Sequence, residues 1–149
     1  KKLDHGADLD LPFYATPGSA GFDLMAAIVD PLTLKPGERV LFPCGISLAI
    51  PQGYEAQIRP RSGLAFKQGV TVLNAPGTID SDYRGEIKVI LVNFGQEDVT
   101  IQRGMRIAQM IVAPYVQAHL QEVSEFTEDN RETSRTVEGF GSTGLFSSQ

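Results

Sequence analysis

The sequence has too little cysteine for a disulfide or a cysteine-based zinc site, because Cys44 is its one cysteine. It also lacks a run of about 18 apolar residues, the length that a membrane helix needs. Its first residues do not form the continuous apolar stretch of a signal peptide. These absences predict a cytoplasmic protein with no membrane partner. Cys44, His5 and His119 show no ligand or triad spacing, so we expect them to be structural or solvated.

Basic charge is scarce as well. The chain has 13 Lys and Arg against 18 Asp and Glu, a formal net charge of −5. Proteins that bind nucleic acid usually carry a basic surface, so we predict no nucleic-acid partner. A small anionic ligand stays possible, because a few local arginines or a metal ion can reverse the field within a cleft.

Turn-forming residues are plentiful by contrast. Fifteen glycines and nine prolines are scattered through 149 residues. They separate short apolar runs, with no long linker and no internal repeat, which favours one all-β domain.

Several of these runs predict particular strands. "YEAQIR" (54–59) alternates, with Tyr54, Ala56 and Ile58 on one face. "EIKVILVNF" (86–94) is apolar on nearly both faces, as in a central strand. Residues 39–50 are predicted to form a strand pair or one bent strand, broken at Pro43 and Gly45. Residues 98–104 and 105–115 are predicted to form two strands around a turn at Arg103–Gly104.

One segment, "RSGLAFKQG" (61–69), predicts a short helix with Ser62 as N-cap and Gly69 as its end. Arg59 and Arg61 precede the predicted N-cap. Free N–H groups at a helix start and arginine side chains together suit an anion, although a plain capped helix with solvated arginines also explains the residues. From about Gln117 the chain becomes polar and acidic, which predicts a surface arm.

The stretch "LNAPGTIDSDYRGEI" (73–87) is the densest polar cluster. Gly77 and Gly85 bracket a hairpin-like excursion that contains Asp80, Asp82 and Tyr83. A carboxylate on a turn can orient and deprotonate a water molecule, or it can make an Asx-turn. Asn74, just before this excursion, could likewise read an amide-like edge or cap the turn.

Two further stretches are ambiguous. "RIAQM" (106–110) places Arg106 and Gln109 on opposite faces of a regular strand, so at least one should face a core, an interface or a site. "VEGFGSTG" (137–144) could bring backbone and hydroxyl groups close to a phosphate, or it could be a flexible end. It contains no P-loop pattern.

Taken together, "TPGSAGFDL" (16–24), "PRSGLAF" (60–66), "LNAPGTIDSDYRGEI", "RGMRIAQM" (103–110) and "GFGSTG" (139–144) resemble the five ordered motifs of the homotrimeric dUTPases. The resemblance covers nearly the whole chain. It implies an all-β, distorted jelly-roll-like β-barrel (the dUTPase-like or β-clip fold) with one short helix. Residues 1–149 would form a single dUTPase domain, and an extended C-terminal arm of about 117–149 would reach a neighbouring subunit of the homotrimer.

The resemblance also implies an activity. The enzyme would hydrolyse dUTP to dUMP and pyrophosphate by water attack on the α-phosphorus. The cofactor would be Mg²⁺, held mainly by the triphosphate and not directly by protein ligands. The reaction would keep uracil out of DNA and supply dUMP for thymidylate synthesis.

Site residues are carried over from the matching motifs. Asp80 resembles the catalytic base, and Tyr83 the ring beneath the deoxyribose. Asn74, with the backbone of Thr78 and Ile79, resembles the uracil reader. The other implied substrate contacts are Arg61, Ser62, Gly63 and Gln109 at the phosphates, Asp23 as a supporting carboxylate, Lys88, and the arm residues Arg135, Phe140, Gly141, Ser142 and Thr143.

The fifth motif departs from the family pattern at Thr136 and Glu138, where glycines are usual. The departure implies weaker arm closure, or a Glu138 side chain that points to solvent. Two other functions stay open from the sequence. One is a dCTP deaminase-like enzyme of the same fold, and the other is a non-catalytic protein that senses dUTP or binds a partner.

Overall fold

The computed structural model describes residues 1–126. The chain divides into two units, 1–116 and 117–149. The first unit contains nine strands, one α-helix and a 3₁₀ turn at Asp4–Gly6, whereas residues 117–126 contain no helix or strand. The strands are β1 (Gly21–Met25), β2 (Leu32–Leu34), β3 (Arg39–Ser47), β4 (Tyr54–Arg59), β5 (Val70–Val72), β6 (Gly77–Ile79), β7 (Glu86–Asn93), β8 (Val99–Ile101) and β9 (Arg106–Pro114), and the helix is α1 (Ser62–Gln68).

The strands form three antiparallel sheets. One has the order β1-β9-β4-β6, the second has the order β3-β7-β5, and β2 pairs with β8. Their buried faces share one hydrophobic cluster that includes Phe42, Leu91, Ile107 and Met110. The all-β, jelly-roll-like fold with one short helix is therefore confirmed.

The hydrophobic pattern identified most strands. In β4, Ala56 and Ile58 are buried as the alternation requires, although Tyr54 is exposed. The strand β7 lies between β3 and β5, which confirms the central position expected for an apolar run. Residues 39–47 form one strand, whose register shifts between Pro43 and Ser47, where Gly45 has a φ of +66°.

Two local predictions need correction. Arg61 rather than Ser62 is the N-cap of α1, with extended backbone and no side-chain cap hydrogen bond, while Gly69 ends the helix at a φ of +68° as predicted. The excursion at 77–85 is not a hairpin, since β6 pairs with β4 and β7 lies in another sheet. The two strands predicted around Arg103–Gly104 are confirmed as β8 and β9, with Gly104 at a φ of +75°, and β8 pairs with β2. No helix within residues 1–126 is long and apolar enough to cross a membrane.

A buried amide, which the sequence did not single out, holds the end of β7. Asn93 is the one fully buried polar side chain among the described residues. Its Nδ2 donates to the carbonyls of Leu34 (2.9 Å) and Glu97 (2.8 Å), and its Oδ1 accepts from the Gly95 N–H (2.8 Å). The side chain thus satisfies three backbone groups where β7 turns toward β8.

Candidate active site

The first group of candidate residues surrounds Arg61, at the junction of β4 and α1. Arg61 Nε lies 3.0 Å from Asp23 Oδ1, and Arg61 Nη1 donates to the Arg106 carbonyl at 3.0 Å. Arg106 Nε lies 3.8 Å from Asp23 Oδ2. We refer to Asp23, Arg61 and Arg106 as the arginine cluster. It joins two guanidinium groups to one carboxylate, which leaves an excess of positive charge for an anion.

Sheet register explains why these residues meet. Gln109 of β9 lies opposite Asp23 of β1 on one side and Arg59 of β4 on the other. Gln109 Nε2 donates to the Pro60 carbonyl at 2.9 Å. The amide therefore fixes the short connection that carries Arg61 from β4 into α1.

The first residues of α1 border the same cluster. Ser62 and Gly63 are its first two residues, and no side chain caps the helix start. Nothing lies within 4 Å of where a side chain on Gly63 would begin. The N–H groups of this first turn have no intrahelical partner. They can therefore donate hydrogen bonds to an anion that Arg61 also binds.

A cleft adjoins the arginine cluster on its β1 side. Its volume is about 200 Å³, and Asp23 and Arg106 lie along it together with the apolar side chains Leu11, Phe13 and Phe22. This cleft does not include the turn that carries Asp80. This cleft is thus next to the candidate phosphate contacts and not next to the candidate base.

The second group of candidate residues lies on the turn between β6 and β7. The Tyr83 N–H donates to the Asp80 carbonyl at 3.1 Å, which closes the turn. Arg84 Nη1 then donates to the carbonyls of Ser81 (2.6 Å) and Tyr83 (2.9 Å). Within residues 1–126 the exposed Asp80 carboxylate has no hydrogen-bond or ion-pair partner. A carboxylate without a partner is available to bind and deprotonate a water molecule.

Tyr83 is held at two points. Its hydroxyl donates to the Glu86 carbonyl at 3.0 Å. Its phenol lies against Gly85 so closely that a Cβ at that position would overlap the ring. The residue remains 43% exposed, so a ligand can reach it.

The residues expected to read a base lie beside this turn. Asn74 is exposed and packs next to Gly77, where a Cβ would lie 3.2 Å from Asn74 Nδ2. Thr78 and Ile79 belong to β6, which is an edge strand because it pairs only with β4. An edge strand has a row of N–H and C=O groups without a strand partner. Such groups can pair with the polar edge of a base.

Lys88 and Glu86 lie at the start of β7. Lys88 Nζ is 3.8 Å from Glu86 Oε2. Glu86 was not among the residues predicted from the sequence to belong to the site, because a glutamate that opens an apolar strand has no distinctive spacing. Glu86 also bonds His5 and Gly45. The candidate arm residues Arg135, Phe140, Gly141, Ser142 and Thr143, and the departures at Thr136 and Glu138, lie outside the described residues.

One chain does not bring the two groups together. Ile79 of β6 lies opposite Ala56 of β4, so Asp80 follows β6 at the Ala56 end. Arg61 lies at the other end of β4. Five residues of extended chain from Ala56 to Arg61 span about 16 Å. Groups that act on the same phosphate must converge within hydrogen-bond reach, whereas Asp80 and Arg61 of one chain lie at opposite ends of β4.

The described residues contain no group of three or more His, Cys, Asp or Glu side chains that could hold a metal ion. Among residues 1–126, Asp23 is the one carboxylate in contact with Arg61 and Arg106. A single carboxylate can support a cation that the ligand itself chelates, as Mg²⁺ commonly is by phosphates.

Comparison with known proteins gives a consistent result. The dUTPase family model matches residues 7–144. The chain is 58% identical over 146 residues to the deoxyuridine 5'-triphosphate nucleotidohydrolase of Rhizobium rhizogenes, covering 97% of this chain and 91% of that protein. It is 57% identical over 145 residues to the enzyme of the same name from Brucella melitensis, covering 96% and 90%.

A solved structure has the same fold. The G164S mutant of Staphylococcus bacteriophage 80alpha dUTPase with dUpNHpp matches at a TM-score of 0.83 and 24% identity, over 97% of this chain and 96% of that one. At this identity the likeness concerns the fold alone.

Proposed function

The chain belongs to the dUTPase family and is a dUTP nucleotidohydrolase, and we propose that it converts dUTP and water to dUMP and pyrophosphate in sites shared between subunits. The observation that carries the proposal is the separation of Asp80 and Arg61 along β4. Because one chain cannot supply both groups to one phosphate, a second copy must complete each site. A homotrimer with three equivalent shared sites meets this requirement by closed symmetry.

The chemical step needs an oriented nucleophile more than covalent chemistry. Asp80 orients a water molecule and accepts its proton as the water oxygen bonds to the α-phosphorus. The bond from the α-phosphorus to the bridging oxygen breaks, and pyrophosphate leaves with that oxygen. The absence of any partner for the Asp80 carboxylate within residues 1–126 supports this role.

The triphosphate is bound by the other group of residues. Arg61 supplies a fork of donors, and the first turn of α1 at Ser62 and Gly63 supplies N–H groups. Gln109 holds the junction that orients Arg61, because its Nε2 donates to the Pro60 carbonyl. The side-chain Oε1 of Gln109 lies near Gly21. Together these groups neutralise the charge that grows on the leaving pyrophosphate.

The dUTPase family uses Mg²⁺, and the residues of this chain fit an ion held mainly by the triphosphate. Asp23 supports it from the arginine cluster. When bound, Mg²⁺ neutralises phosphate charge and polarises the phosphoryl oxygens. The protein's own part is to position the phosphates around Arg61 and the water at Asp80.

Base and sugar are recognised at the turn that follows β5 and at the edge strand β6. Asn74 and the outer backbone groups of Thr78 and Ile79 pair with uracil, so a cytosine would leave polar groups unpaired. Tyr83 lies under the deoxyribose and leaves no room for a 2′-hydroxyl. Lys88, near the same turn, is a further substrate contact.

The C-terminal arm completes the site from a neighbouring subunit. Phe140 stacks on the base, and the other arm contacts, Arg135, Gly141, Ser142 and Thr143, cover the γ-phosphate. These roles rest on the fifth motif of the sequence, which lies within the range that the family model matches.

A substrate panel tests the activity. We expect Mg²⁺-dependent pyrophosphate release from dUTP and little from dTTP, dCTP or UTP. Ammonia release from dCTP would instead indicate a deaminase. Binding of dUTP without hydrolysis would indicate a sensing protein.

Mixed oligomers test the shared site. We expect Asp80→Asn and Arg61→Ala chains each to be inactive alone and their co-assembled mixture to regain activity. With random assembly of equal amounts, about a quarter of the sites combine an intact Asp80 with an intact Arg61 from different chains. A mixture that stays inactive, although exchange is verified by mass spectrometry, would contradict sharing.

A further inference from the structure

Glu86 joins three segments of the first unit through its side chain. Its Oε1 accepts from the Gly45 N–H at 3.0 Å and lies 2.6 Å from His5 Nε2, and its Oε2 lies 3.8 Å from Lys88 Nζ. The side chain is only 14% exposed. A largely buried carboxylate with three partners, from the N-terminal segment, from β3 and from β7 itself, is held in one orientation.

The backbone of the same residue holds Tyr83. The Tyr83 hydroxyl donates to the Glu86 carbonyl at 3.0 Å. Because Tyr83 is 43% exposed, packing alone does not fix its ring. Its hydroxyl bond to Glu86 and its contact with Gly85 define where the ring lies.

The N-terminal segment that carries His5 is itself anchored. Arg103 Nη2 donates to the His5 carbonyl at 2.7 Å and also to Asp8, and Arg103 Nη1 donates to the Ile28 carbonyl at 2.9 Å. The hydrogen bond from Arg103 lowers the pKa of the Asp8 carboxyl. The Leu3 N–H donates to the Gly45 carbonyl at 2.8 Å. His5 therefore approaches Glu86 from a fixed support.

We propose that Glu86 is a positioning residue that fixes the Tyr83 ring and thereby contributes to the rejection of ribonucleotides. The inference rests on the proposed role of Tyr83 beneath the deoxyribose. If the start of β7 is released, the ring can move away from the sugar and open space for a 2′-hydroxyl. The effect should be on substrate choice, because Glu86 touches neither the attacking water nor the phosphates in the proposed site.

The test compares kcat and KM for dUTP and UTP across matched variants. We expect Glu86→Ala to lower the ratio of kcat/KM for dUTP to that for UTP by about five- to tenfold, the equivalent of one hydrogen bond. The loss should come from a higher KM for dUTP and a lower KM for UTP. Glu86→Gln should keep most of the selectivity, because its amide oxygen still accepts from Gly45. Glu97→Ala, an exposed glutamate elsewhere in the fold, is the control.

Two further variants keep the inference testable if Glu86→Ala fails to fold. Tyr83→Phe removes only the hydroxyl bond to Glu86 and should reduce the selectivity about as much as Glu86→Ala. His5→Ala removes one of the partners of Glu86 and should cause a smaller loss, roughly two- to threefold. Thermal unfolding midpoints distinguish a general loss of stability from a change in substrate choice.

Tyr83→Ala distinguishes the positioning role of Glu86 from the role of Tyr83 itself. If Tyr83→Ala loses selectivity while Glu86→Ala and Tyr83→Phe keep it, the positioning role of Glu86 is wrong and the role of Tyr83 stands. If Tyr83→Ala itself keeps full selectivity, the proposed role of Tyr83 is wrong and the inference falls with it. Equal falls in kcat/KM for both nucleotides in Glu86→Ala would also contradict the inference.

Discussion

Arg61 Nε lies 3.0 Å from Oδ1 of Asp23, so the arginine that we expect to bind phosphate already has an anionic partner within its own chain. Both side chains are one-third exposed. An ion pair of this exposure is worth little on its own, because water screens it. It can therefore be rearranged by an incoming triphosphate, while Asp23 stays close enough to support a chelated cation.

Removing the Asp23 charge should strengthen the binding of a bare phosphate ligand. We expect Asp23→Asn to lower the Kd of pyrophosphate in EDTA by roughly two- to fivefold, because a competing anion of modest strength is lost from Arg61 and Arg106. Isothermal titration calorimetry measures this affinity. Asp98→Asn makes the same change of charge at an exposed position away from the arginine cluster and should leave the affinity unchanged. If Asp23→Asn binds pyrophosphate equally or more weakly, the Asp23 carboxylate orients the arginines more than it competes with the ligand for them.

Replacing the candidate base should abolish turnover and spare binding. Asp80→Asn keeps the shape of the side chain but cannot accept the proton of the water molecule, so kcat should fall by about 10²- to 10⁴-fold. The Kd of dUTP, measured by calorimetry, should change by less than about threefold. Asp82→Asn on the same turn is the matched control and should retain activity. Persistent hydrolysis by Asp80→Asn would refute the assignment of the base.

Asn93 should be a major determinant of stability although it is far from any candidate contact. Asn93→Ala leaves the Leu34 and Glu97 carbonyls and the Gly95 N–H without their partner. We expect the free energy of unfolding to fall by about 2–4 kcal/mol. Urea denaturation measures the change, and exposed Gln96→Ala should stay within about 0.5 kcal/mol of the parent. A similar small effect for Asn93→Ala would mean that water replaces the amide.

Much of the fold was predictable because it rests on local pattern. The alternation in β4 follows from burial of one sheet face, and the apolar run of β7 follows from burial of both. Gly69 ends α1 because glycine accepts the left-handed conformation. Asn93, by contrast, resembles an ordinary polar strand end, and its burial depends on carbonyls that are distant in the sequence.

The candidate site was predictable only in part, since spacing identifies motifs but not which chain supplies them. Motif similarity assigned Asp80 and Arg61 to one family pattern, and their roles in the site stay predictions. Their opposite positions along β4 emerged only from the register of β6 with β4. Ser62 failed as an N-cap because its backbone is already helical, and the extended residue before it is Arg61.

Gly37 and Gly69 both have left-handed backbone, and comparing them separates the free-energy cost of backbone strain from that of steric crowding. Gly69 has a φ of +68°, and a Cβ there would overlap the backbone of Gly95. Gly37 has a φ of +79°, with nothing within 4 Å of its Cβ position. We expect Gly37→Ala to lower the free energy of unfolding by about 1–2 kcal/mol from backbone strain alone. Gly69→Ala should cost at least about 1 kcal/mol more, because packed backbone must also move. Equal losses in urea denaturation would indicate that the contact with Gly95 relaxes without cost.

Cys44 should be inert in the folded protein and should make stability sensitive to alkaline pH. Burial, with a smaller contribution from the charge of Glu86, raises the pKa of the Cys44 thiol from its ordinary 9.0 to about 12. At pH 8 the thiolate fraction is therefore about 10⁻⁴, and native protein should resist iodoacetamide while unfolded protein reacts.

The sign of the pH effect follows from the two pKa values. Between pH 9 and 12 the unfolded chain has lost the Cys44 proton and the folded chain has kept it, so rising pH favours unfolding. Cys44 makes no pH-dependent contribution below pH 9, and its contribution to the free energy of unfolding should fall by roughly 3–4 kcal/mol as pH rises to 12. Other groups titrate in this range, so the measurement is the difference between the parent and Cys44→Ala, which lacks the thiol. That difference should be flat from pH 6 to 9 and then decline. A difference that stays flat to pH 11 would mean that the thiol ionises equally easily in both states.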